Sequence, residues 1–478
     1  MPYLNPKIEI KALKKSGRGY YATENLPAGT TILTEYPIVQ TICSKYSKSF
    51  CDYCCKPTKK ICKACNKFAY CNVKCQKAAW NAYHKIECKL LKNLDFKKLT
   101  DGLHIDFGDL SDDVGSNNLM DWIIFLGRVI ILRADETKFP QVRQSVENLC
   151  SNFDSLSPGG QEHLYNLSNI FMRYFTETNF KKYCSNSLNA KKMLNLMSAL
   201  KCNMFVSDNE DISLQSFSLC LYPKTAITNH SCDYNSNHVF YDMNEGNKDL
   251  LPKDPIDNLR KGNLIAIKLN RNVEKGQEIT INYNDTRQDV ATRREVLKTV
   301  YTFDCDCTRC GLDSKQTCSR QKQINTRHQN IGLEFISRLD KGDFEEIHAV
   351  IKFLNKEFIP LDNLITVTLN EYVFDFYLKS AESELDEKFR DEFYTKAVLH
   401  GTKAVEGGNL LDFNDILHGL TTLKVTKLLV FLKEYQSAEV FLKLAYDILV
   451  NGYDEKYGSQ VLKCVEELRY EINHCKTK

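Results

Sequence analysis

Residues 229–235 read Asn229-His230-Ser231-Cys232-Asp233-Tyr234-Asn235, and this heptapeptide is the most specific stretch of the chain. A lone histidine is more often a satisfied core residue than a functional one. Here, however, His230 stands beside the amide of Asn229 and two residues before Cys232. A cysteine thiolate is a common zinc ligand. The heptapeptide therefore indicates a binding site that adjoins a metal site.

A later segment, residues 301–310, holds cysteines that would complete this metal site. It supplies three thiolates, from Cys305, Cys307 and Cys310. A structural zinc needs four ligands, and we predict that Cys232, 73 residues before the first of the three, is the fourth. Such a metal would join the heptapeptide to the segment that carries Tyr301 and Phe303.

Two other segments complete the set of candidate motifs. Near the N-terminus, Ser16-Gly17-Arg18-Gly19-Tyr20 places glycines on both sides of an arginine, which lets the backbone approach a ligand closely. Alone this pattern is weak, because Gly-x-Gly is more often a simple turn. The second segment, residues 276–283, contains a strand-like run at residues 278–283 and ends in Tyr283.

A cysteine-rich block lies between these motifs and gives the clearest metal pattern. Its spacing is Cys51-x2-Cys54, Cys62-x2-Cys65, Cys71-x3-Cys75 and His84-x3-Cys88. Eight ligands satisfy two tetrahedral zinc sites with none left over. The x3 spacings suit one helical turn, where residues four apart share a face. A segment this short and lysine-rich has little core, so metal binding would supply much of its folding free energy. We assign no role to Cys43 and Cys55.

The rest of the chain predicts a multidomain, soluble and intracellular protein. At 478 residues it is too long for one hydrophobic core. Twenty cysteines without a secretory signal favour metal ligation over disulfides. The most apolar run, Trp122 to Leu132, is too short to span a membrane and predicts a buried helix. Asp101 to Asp113 is typical of an exposed loop. Beyond about Arg320, amphipathic helices are expected, including a tetratricopeptide-like hairpin at Leu423–Leu432 and Ala438–Leu449.

The charge of the chain is uneven. From Cys43 to Lys92 there are twelve lysines and two acidic residues, a formal +10, which seven thiolates and two Zn²⁺ would reduce to +7. This face is either an ordinary solvated surface or a docking surface for acidic partners or nucleic-acid backbone.

The eight-ligand block resembles a MYND zinc finger, with Trp80 between the last two ligand pairs. The three other motifs, in their order along the chain, resemble the SET domain of lysine methyltransferases. A MYND finger inserted into a SET domain marks the SET and MYND domain (SMYD) family. The chain resembles this family over essentially its whole length.

The resemblance implies three zinc ions and an interleaved arrangement in the finger. The first zinc would be held by Cys51, Cys54, Cys71 and Cys75, the second by Cys62, Cys65, His84 and Cys88, and the third by Cys232, Cys305, Cys307 and Cys310. The implied fold is a multidomain α+β protein with a β-rich SET domain, an inserted finger, a helical insert and a helical C-terminal domain. The expected domains are the SET N-terminal part (1–50), the finger (51–88), the helical insert (89–200), the SET core (201–284), a post-SET zinc segment (285–318) and the C-terminal domain (319–478).

The resemblance also implies roles for individual residues. S-adenosylmethionine would be contacted by Gly17, Arg18, Gly19, Asn203, Asn229, His230, Tyr283 and Phe303, the last packing on adenine. Tyr283 is the expected catalytic tyrosine, while Phe205 and Tyr301 would line the channel for the substrate lysine. The segment Cys202-Asn203-Met204-Phe205 carries two of these residues. Tyr234 stands where relatives commonly have proline, and the stretch from Cys202 to Asn229 is slightly long; neither change removes a group that the reaction needs.

The implied function is methyl transfer from S-adenosylmethionine to a lysine of a histone or non-histone protein. Two alternatives remain: a zinc-finger adaptor or transcriptional co-regulator with weak or no methyltransferase activity, and a methyltransferase acting on something other than protein lysine. Expected partners are substrate proteins, proline-rich peptides at the finger and weakly bound nucleic acid at its lysine-rich face. We expect a monomer in the cytoplasm, the nucleus or both, without membrane association.

Overall fold

The computed structural model describes residues 3–13, 17–92, 118–177, 189–207, 217–241, 263–286, 288, 290–314, 324, 326–340, 344–356, 359–411, 413, 415–452 and 460–476. The loop predicted at Asp101 to Asp113 lies outside these residues. The chain divides into two compact units. Residues 1–283 and 295–304 form the first unit, and residues 284–294 and 305–478 form the second.

Short strands dominate the sheet-forming part of the first unit. They are β1 (Tyr3–Leu4), β2 (Ile8–Leu13), β3 (Gly17–Ala22), β4 (Thr31–Glu35), β5 (Val39–Ile42), β6 (Met204–Ser207), β7 (Ser218–Leu221), β8 (Asn229–His230), β9 (Ser236–Tyr241), β10 (Leu264–Leu269) and β11 (Glu278–Ile281). They pair into sheets with the strand orders β1-β4-β10-β9, β2-β3-β11-β8 and β5-β7-β6. Each sheet therefore joins parts of the chain that are far apart in sequence.

Along the sequence, the helices lie between these strands and after them. They are α1 (Val73–Ala79), α2 (Lys85–Lys92), α3 (Asn118–Ala134), α4 (Pro140–Glu147), α5 (Pro158–Glu177), α6 (Ala190–Asn203), α7 (Val290–Val296), α8 (Thr308–Ser314), α9 (Thr326–Asp340), α10 (Ile347–Lys356), α11 (Leu364–Ser383), α12 (Glu387–Leu410), α13 (Ile416–Phe431), α14 (Tyr435–Gly452) and α15 (Gln460–Lys476). Single π-helical turns occur at Trp80–His84 and Leu297–Tyr301. Among the residues described, none of these helices is apolar over a length that could cross a membrane.

Strand β10 is buried along its whole length between β4 and β9. Its sequence is apolar at every position except Lys268, which is typical of a strand that is covered on both faces. The predicted strand at residues 278–283 ends two residues early, because its pairing with β3 and β8 stops at Ile281. Tyr283 thus lies just beyond the sheet, where its side chain is free to face a site.

The predicted buried helix at Trp122 to Leu132 is confirmed as the central part of α3, whose side chains over that run are all buried. The finger predicted at residues 51–88 folds around α1 and a helix that continues from Trp80 through α2. The expectation that Cys71 and Cys75 share one helical turn is wrong. Asn72 caps α1 by accepting a hydrogen bond from the backbone N–H of Cys75 at 2.9 Å, so Cys71 precedes the helix.

The second unit is built from helices that pack around one apolar core. The predicted hairpin at its C-terminal end is confirmed as α13 and α14. The connection between them is very short, and Lys433 within it has a φ of 64°. Together, the sheets of the first unit and the helices of the second confirm the multidomain α+β class that the sequence predicts.

Candidate functional site

The parallel pairing of β8 with β11 assembles the candidate site. It sets Thr280 opposite Asn229 and Ile281 opposite His230. The chain leaving β11 then passes beside the imidazole, and the backbone N–H of Tyr283 donates to Nδ1 of His230 at 2.9 Å. A contact between two motifs 53 residues apart is thereby fixed by sheet pairing.

Four aromatic rings meet at this point. The ring centroids of His230 and Tyr283 are 5.3 Å apart, those of Tyr283 and Tyr301 4.8 Å, those of His230 and Phe303 5.9 Å, and those of Tyr301 and Phe303 6.5 Å. All four side chains are partly exposed. Aromatic faces attract cations through the ring quadrupole. The cluster, which we call the aromatic site, is thus suited to hold a cationic group.

The hydroxyl of Tyr283 is anchored within the same unit. It donates a hydrogen bond of 2.7 Å to the backbone carbonyl of Thr228. Burial raises the pKa of Tyr283 well above its usual value, and nearby Tyr301 adds to the shift. The hydroxyl therefore remains protonated at neutral pH, where it is a hydrogen-bond donor that can also accept. It is not suited to act as a base.

A polar cluster adjoins the aromatic site. The side-chain amide of Asn229 donates to the backbone carbonyl of Arg18 at 3.1 Å and to Oε1 of Glu278 at 2.7 Å. A Cβ at Gly19 would lie 2.4 Å from that carboxylate oxygen and 2.8 Å from the Asn229 amide nitrogen. Gly17 has a φ of 70°, in the left-handed region that favours glycine. Both glycines are therefore required by the geometry of the strand beside Asn229.

The helical insert reaches the same neighbourhood through the segment after α4. The Arg18 guanidinium donates to the carbonyl of Asn148 at 3.0 Å. The Asn203 amide donates to the carbonyls of Cys150 at 3.0 Å and Ala199 at 2.7 Å. Arg18 and Asn203 thus contact the same short stretch of backbone.

Phe205 does not belong to the aromatic site by direct ring contact. Its ring centroid lies 5.8 Å from those of Tyr222 and His238. It nevertheless packs against the same apolar core as Tyr283, a core that includes Ile227 and Ile281. Phe205 therefore lies in a separate aromatic cluster, and the feature that it shares with the site is this core.

Three groups of cysteine and histidine residues could each hold a metal ion. In the finger, Cys51, Cys54, Cys71 and Cys75 form one group, and Cys62, Cys65, His84 and Cys88 form another. Within each group the ligand atoms lie within 4.8 Å of one another. The separation of Cys54 and Cys71 sulfurs is 3.5 Å, and that of Cys62 and Cys88 is 3.9 Å. Thiolates about 2.3 Å from one zinc at tetrahedral angles are about 3.8 Å apart. The donor sets therefore fit zinc.

The third group is formed around Cys305, Cys307 and Cys310 in the second unit. The backbone N–H of Cys310 points at the sulfur of Cys307, 3.5 Å away. The buried Arg293 guanidinium lies 3.8 Å from the Cys310 sulfur and pairs with Asp313 at 2.7 Å. Cys232 lies in the first unit, and its assignment as the fourth ligand stays a prediction.

A buried ion network lies behind the second finger group. Arg128, on α3, is fully buried and donates to Glu87 through Nε at 2.6 Å and Nη2 at 2.9 Å. Its Nη1 contacts Asp52 at 3.1 Å, and the guanidinium stacks 3.9 Å from the ring centroid of Tyr83. Glu87 in turn lies 3.8 Å from Nδ1 of His84. Arg128 thus connects the helical insert, through Glu87, to His84, a candidate metal ligand of the finger.

Sequence reasoning missed three contributors to these sites. Glu278 lies in the segment 276–283, yet nothing in that segment indicates that its carboxylate holds Asn229. Thr228 acts through its backbone carbonyl, which leaves no trace in side-chain patterns. Arg128 did interrupt an apolar run between Trp122 and Leu132, and a single charge in a buried helix is a usable indication of a buried ion pair.

Comparison with known proteins agrees with these features. A model of the SET domain family matches residues 17–284. Histone-lysine N-methyltransferase SMYD3 of Homo sapiens is 26% identical over 470 residues, covering 96% of this chain and 97% of that protein. Histone-lysine N-methyltransferase ASHR1 of Arabidopsis thaliana is 26% identical over 316 residues, covering 64% of this chain and 55% of that protein.

A solved structure, the SET domain of LSMT bound to lysine and AdoHcy, covers 98% of this chain and 89% of that chain at 10% identity. Its TM-score of 0.30 is too low to support the assignment further. The family match and the full-length relative are sufficient without it. The chain belongs to the SET domain family, within its SET and MYND domain-containing branch.

Proposed function

We propose that this protein is an S-adenosylmethionine-dependent protein-lysine N-methyltransferase. The observation that carries the proposal is the aromatic site at the junction of β8 and β11, next to the Asn229 cluster. The names of the relatives point the same way, since several are lysine methyltransferases. S-adenosylmethionine, when bound, would supply an electrophilic methyl group on a positively charged sulfur.

The residues of the aromatic site would act in two ways, by stabilising positive charge and by orienting the substrate amine. As methyl transfer moves positive charge from sulfur to nitrogen, the faces of Tyr283, Tyr301 and Phe303 stabilise it without competing as nucleophiles. The anchored Tyr283 hydroxyl would orient the amine opposite the leaving sulfur, which lowers the barrier through orientation. Desolvation among aromatic rings disfavours the ammonium form of lysine, so the amine would react neutral.

The cofactor would be held by the polar cluster and its neighbours. Asn229 and His230 would bind the amino-acid and adenosine parts of the cofactor. The backbone of Gly17 and Gly19 and the guanidinium of Arg18 would also contact it. Asn203 would contribute its amide, and Phe303 would pack on adenine. The close approach required at Gly19 supports this arrangement, because no side chain fits there.

Gly19→Ala tests the cofactor assignment. The added methyl group would meet Glu278 and the Asn229 amide, so one of them must move. We expect the affinity for S-adenosylhomocysteine to fall by about tenfold or more, the effect of losing one good hydrogen bond to a charged partner, as measured by isothermal titration calorimetry. Gly159→Ala is the matched control, since a Cβ there meets nothing within 4 Å. Unchanged affinity in a folded Gly19→Ala protein would contradict the assignment.

Three zinc ions per chain complete the proposed architecture. Cys232 would be the fourth ligand beside Cys305, Cys307 and Cys310, and would tie the heptapeptide to the segment carrying Tyr301 and Phe303. The purified protein should contain three zinc ions by mass spectrometry of the metal. Cys305→Ser should lose one zinc together with activity, whereas Cys464→Ser, outside the three metal groups, should keep all three. Two zinc ions in the wild-type protein would contradict the third site.

The direct test of function is transfer of a labelled methyl group into proteins of a whole-cell extract. Labelled protein bands that require the added enzyme would support the proposal and would identify substrates. Label entering small amines alone would point to another acceptor. Cofactor binding without label in any acceptor would favour the adaptor function.

One observation favours an adaptor role in addition to catalysis. The finger exposes two large apolar side chains, Val73 at 62% and Trp80 at 38%. Exposed apolar side chains on a small module are suited to bind peptides, and proline-rich segments are the proposed class. Substrate proteins with a target lysine are the other proposed partners, with weak nucleic-acid contact at the lysine-rich face. We further propose a monomer that works in the cytoplasm, the nucleus or both.

A further inference from the structure

Glu35, at the end of β4, is a buried carboxylate to which the proposed reaction assigns no role. Its residue is 5% exposed. The carboxylate accepts hydrogen bonds from the backbone N–H of Lys224 at 3.0 Å, the backbone N–H of Thr225 at 2.8 Å and the Thr225 hydroxyl at 2.9 Å. A carboxylate accepts only, and three donors converge on it here. The group is therefore held in one orientation.

The donors belong to the start of a single 3₁₀ turn, Thr225–Ile227. The residue that begins this turn, Lys224, makes no side-chain capping bond of its own. Glu35 supplies the cap from a distant strand instead, and the free N–H groups of a helical turn need such an acceptor. Tyr20 holds the same turn from a second strand, because its hydroxyl donates a hydrogen bond to the Lys224 carbonyl at 3.0 Å. The turn is thus anchored from β3 and β4.

The end of the turn leads directly into the aromatic site. Thr228 follows it, and its carbonyl accepts the Tyr283 hydroxyl at 2.7 Å. Two residues later, His230 accepts the backbone N–H of Tyr283 at 2.9 Å. The Thr228 carbonyl that accepts the Tyr283 hydroxyl therefore follows directly on the capped turn, and the His230 imidazole lies two residues further along the same chain.

We infer that Glu35 is a positioning residue for methyl transfer, which acts by capping the 224–227 turn and so fixing the carbonyl to which the Tyr283 hydroxyl is bound. The inference rests on the proposed function for its effect on rate, but not for its effect on the orientation of Tyr283. Asn229 is held separately by the Arg18 carbonyl and Glu278. Loss of the cap should therefore affect Tyr283 more than the cofactor contacts of Asn229.

The experiment uses the full-length protein labelled with 3-fluorotyrosine, in which the ¹⁹F resonance of Tyr283 is identified by its loss in Tyr283→Phe. Glu35→Gln keeps the shape of the side chain but replaces one accepting oxygen with an N–H₂ group, which cannot accept the hydrogen bonds of the turn. We expect the Tyr283 resonance to shift. We also expect the rate of labelled methyl transfer into whole-cell extract, at saturating S-adenosylmethionine, to fall by about tenfold to a hundredfold. The dissociation constant for S-adenosylhomocysteine should change by less than about threefold.

Two further variants make the result specific. Thr225→Val removes one donor to Glu35 without touching the carboxylate, and should shift the Tyr283 resonance in the same direction. Glu24→Gln alters an exposed carboxylate that pairs with Lys7, and should leave resonance, rate and affinity unchanged. If Glu35→Gln fails to fold, Thr225→Val decides.

An unchanged Tyr283 resonance and rate in a folded Glu35→Gln or Thr225→Val protein would overturn the inference. So would losses of rate and cofactor affinity in equal proportion, which indicate general disruption. If the wild-type protein transfers no methyl group, the proposed function fails. The ¹⁹F shift alone then decides whether Glu35 positions Tyr283.

Discussion

Replacing Tyr283 with phenylalanine is expected to slow methyl transfer by at least about a hundredfold, the effect of removing one preorganised hydrogen-bonding group from an active site. The variant loses the hydroxyl that is bound to the Thr228 carbonyl. It keeps the aromatic ring that contacts His230 and Tyr301, and its backbone N–H can still donate to His230. The affinity for S-adenosylhomocysteine should therefore stay within a few-fold of that of the wild-type protein.

The measurement compares labelled methyl transfer and calorimetric cofactor binding for the same preparations. Tyr46→Phe is the matched control, because it makes the same change, loss of a tyrosine hydroxyl, outside the aromatic site. The ring of Tyr46 packs against Phe50 and Phe217. It should be as active as the wild-type protein. Full activity of Tyr283→Phe would remove the tyrosine hydroxyl from the mechanism. Loss of cofactor affinity in parallel with activity would make Tyr283 a binding residue instead.

The candidate metal ligands of the finger could be predicted because their geometry is local. Pairs such as Cys62-x2-Cys65 and His84-x3-Cys88 bring donors together through one turn of backbone, whatever the rest of the chain does. Even there, one local detail differs from the prediction: Asn72 caps α1, so Cys71 lies before the helix and not in its first turn. The grouping of the pairs into two sites came from the family resemblance, since spacing alone allows more than one arrangement.

The candidate active site could be predicted as a set of residues but not as a geometry. His230 accepts the N–H of Tyr283 only because β8 pairs in parallel with β11. No pattern within either segment specifies that pairing partner or its register. Glu35 shows the same limit more strongly. Its role depends on two strands, β3 and β4, that contact the same turn, whereas in the sequence Glu35 is only a polar residue at the end of a strand.

The other large expected effect concerns Arg128. Replacing it with methionine would leave Asp52 and Glu87 buried without the guanidinium that compensates their charge. Burial alone would raise the pKa of Glu87, but the guanidinium and His84 together outweigh it and hold this pKa below its usual value. Removing one member of a buried ionic network costs about 3–5 kcal/mol. That is a large fraction of the roughly 5–15 kcal/mol by which domains are stable.

We therefore expect Arg128→Met to unfold in denaturant far earlier than the wild-type protein and to release zinc faster to a chelator, because Glu87 lies beside His84. Arg143→Met provides the matched control: this arginine pairs with Glu147 on the surface, where an ion pair contributes about 1 kcal/mol or less. The double variant Arg128→Met/Glu87→Gln removes a charge from each side and should be more stable than Arg128→Met alone. If the double variant were instead less stable by the sum of the two single effects, packing and not charge compensation would explain why α3 carries an arginine into the core.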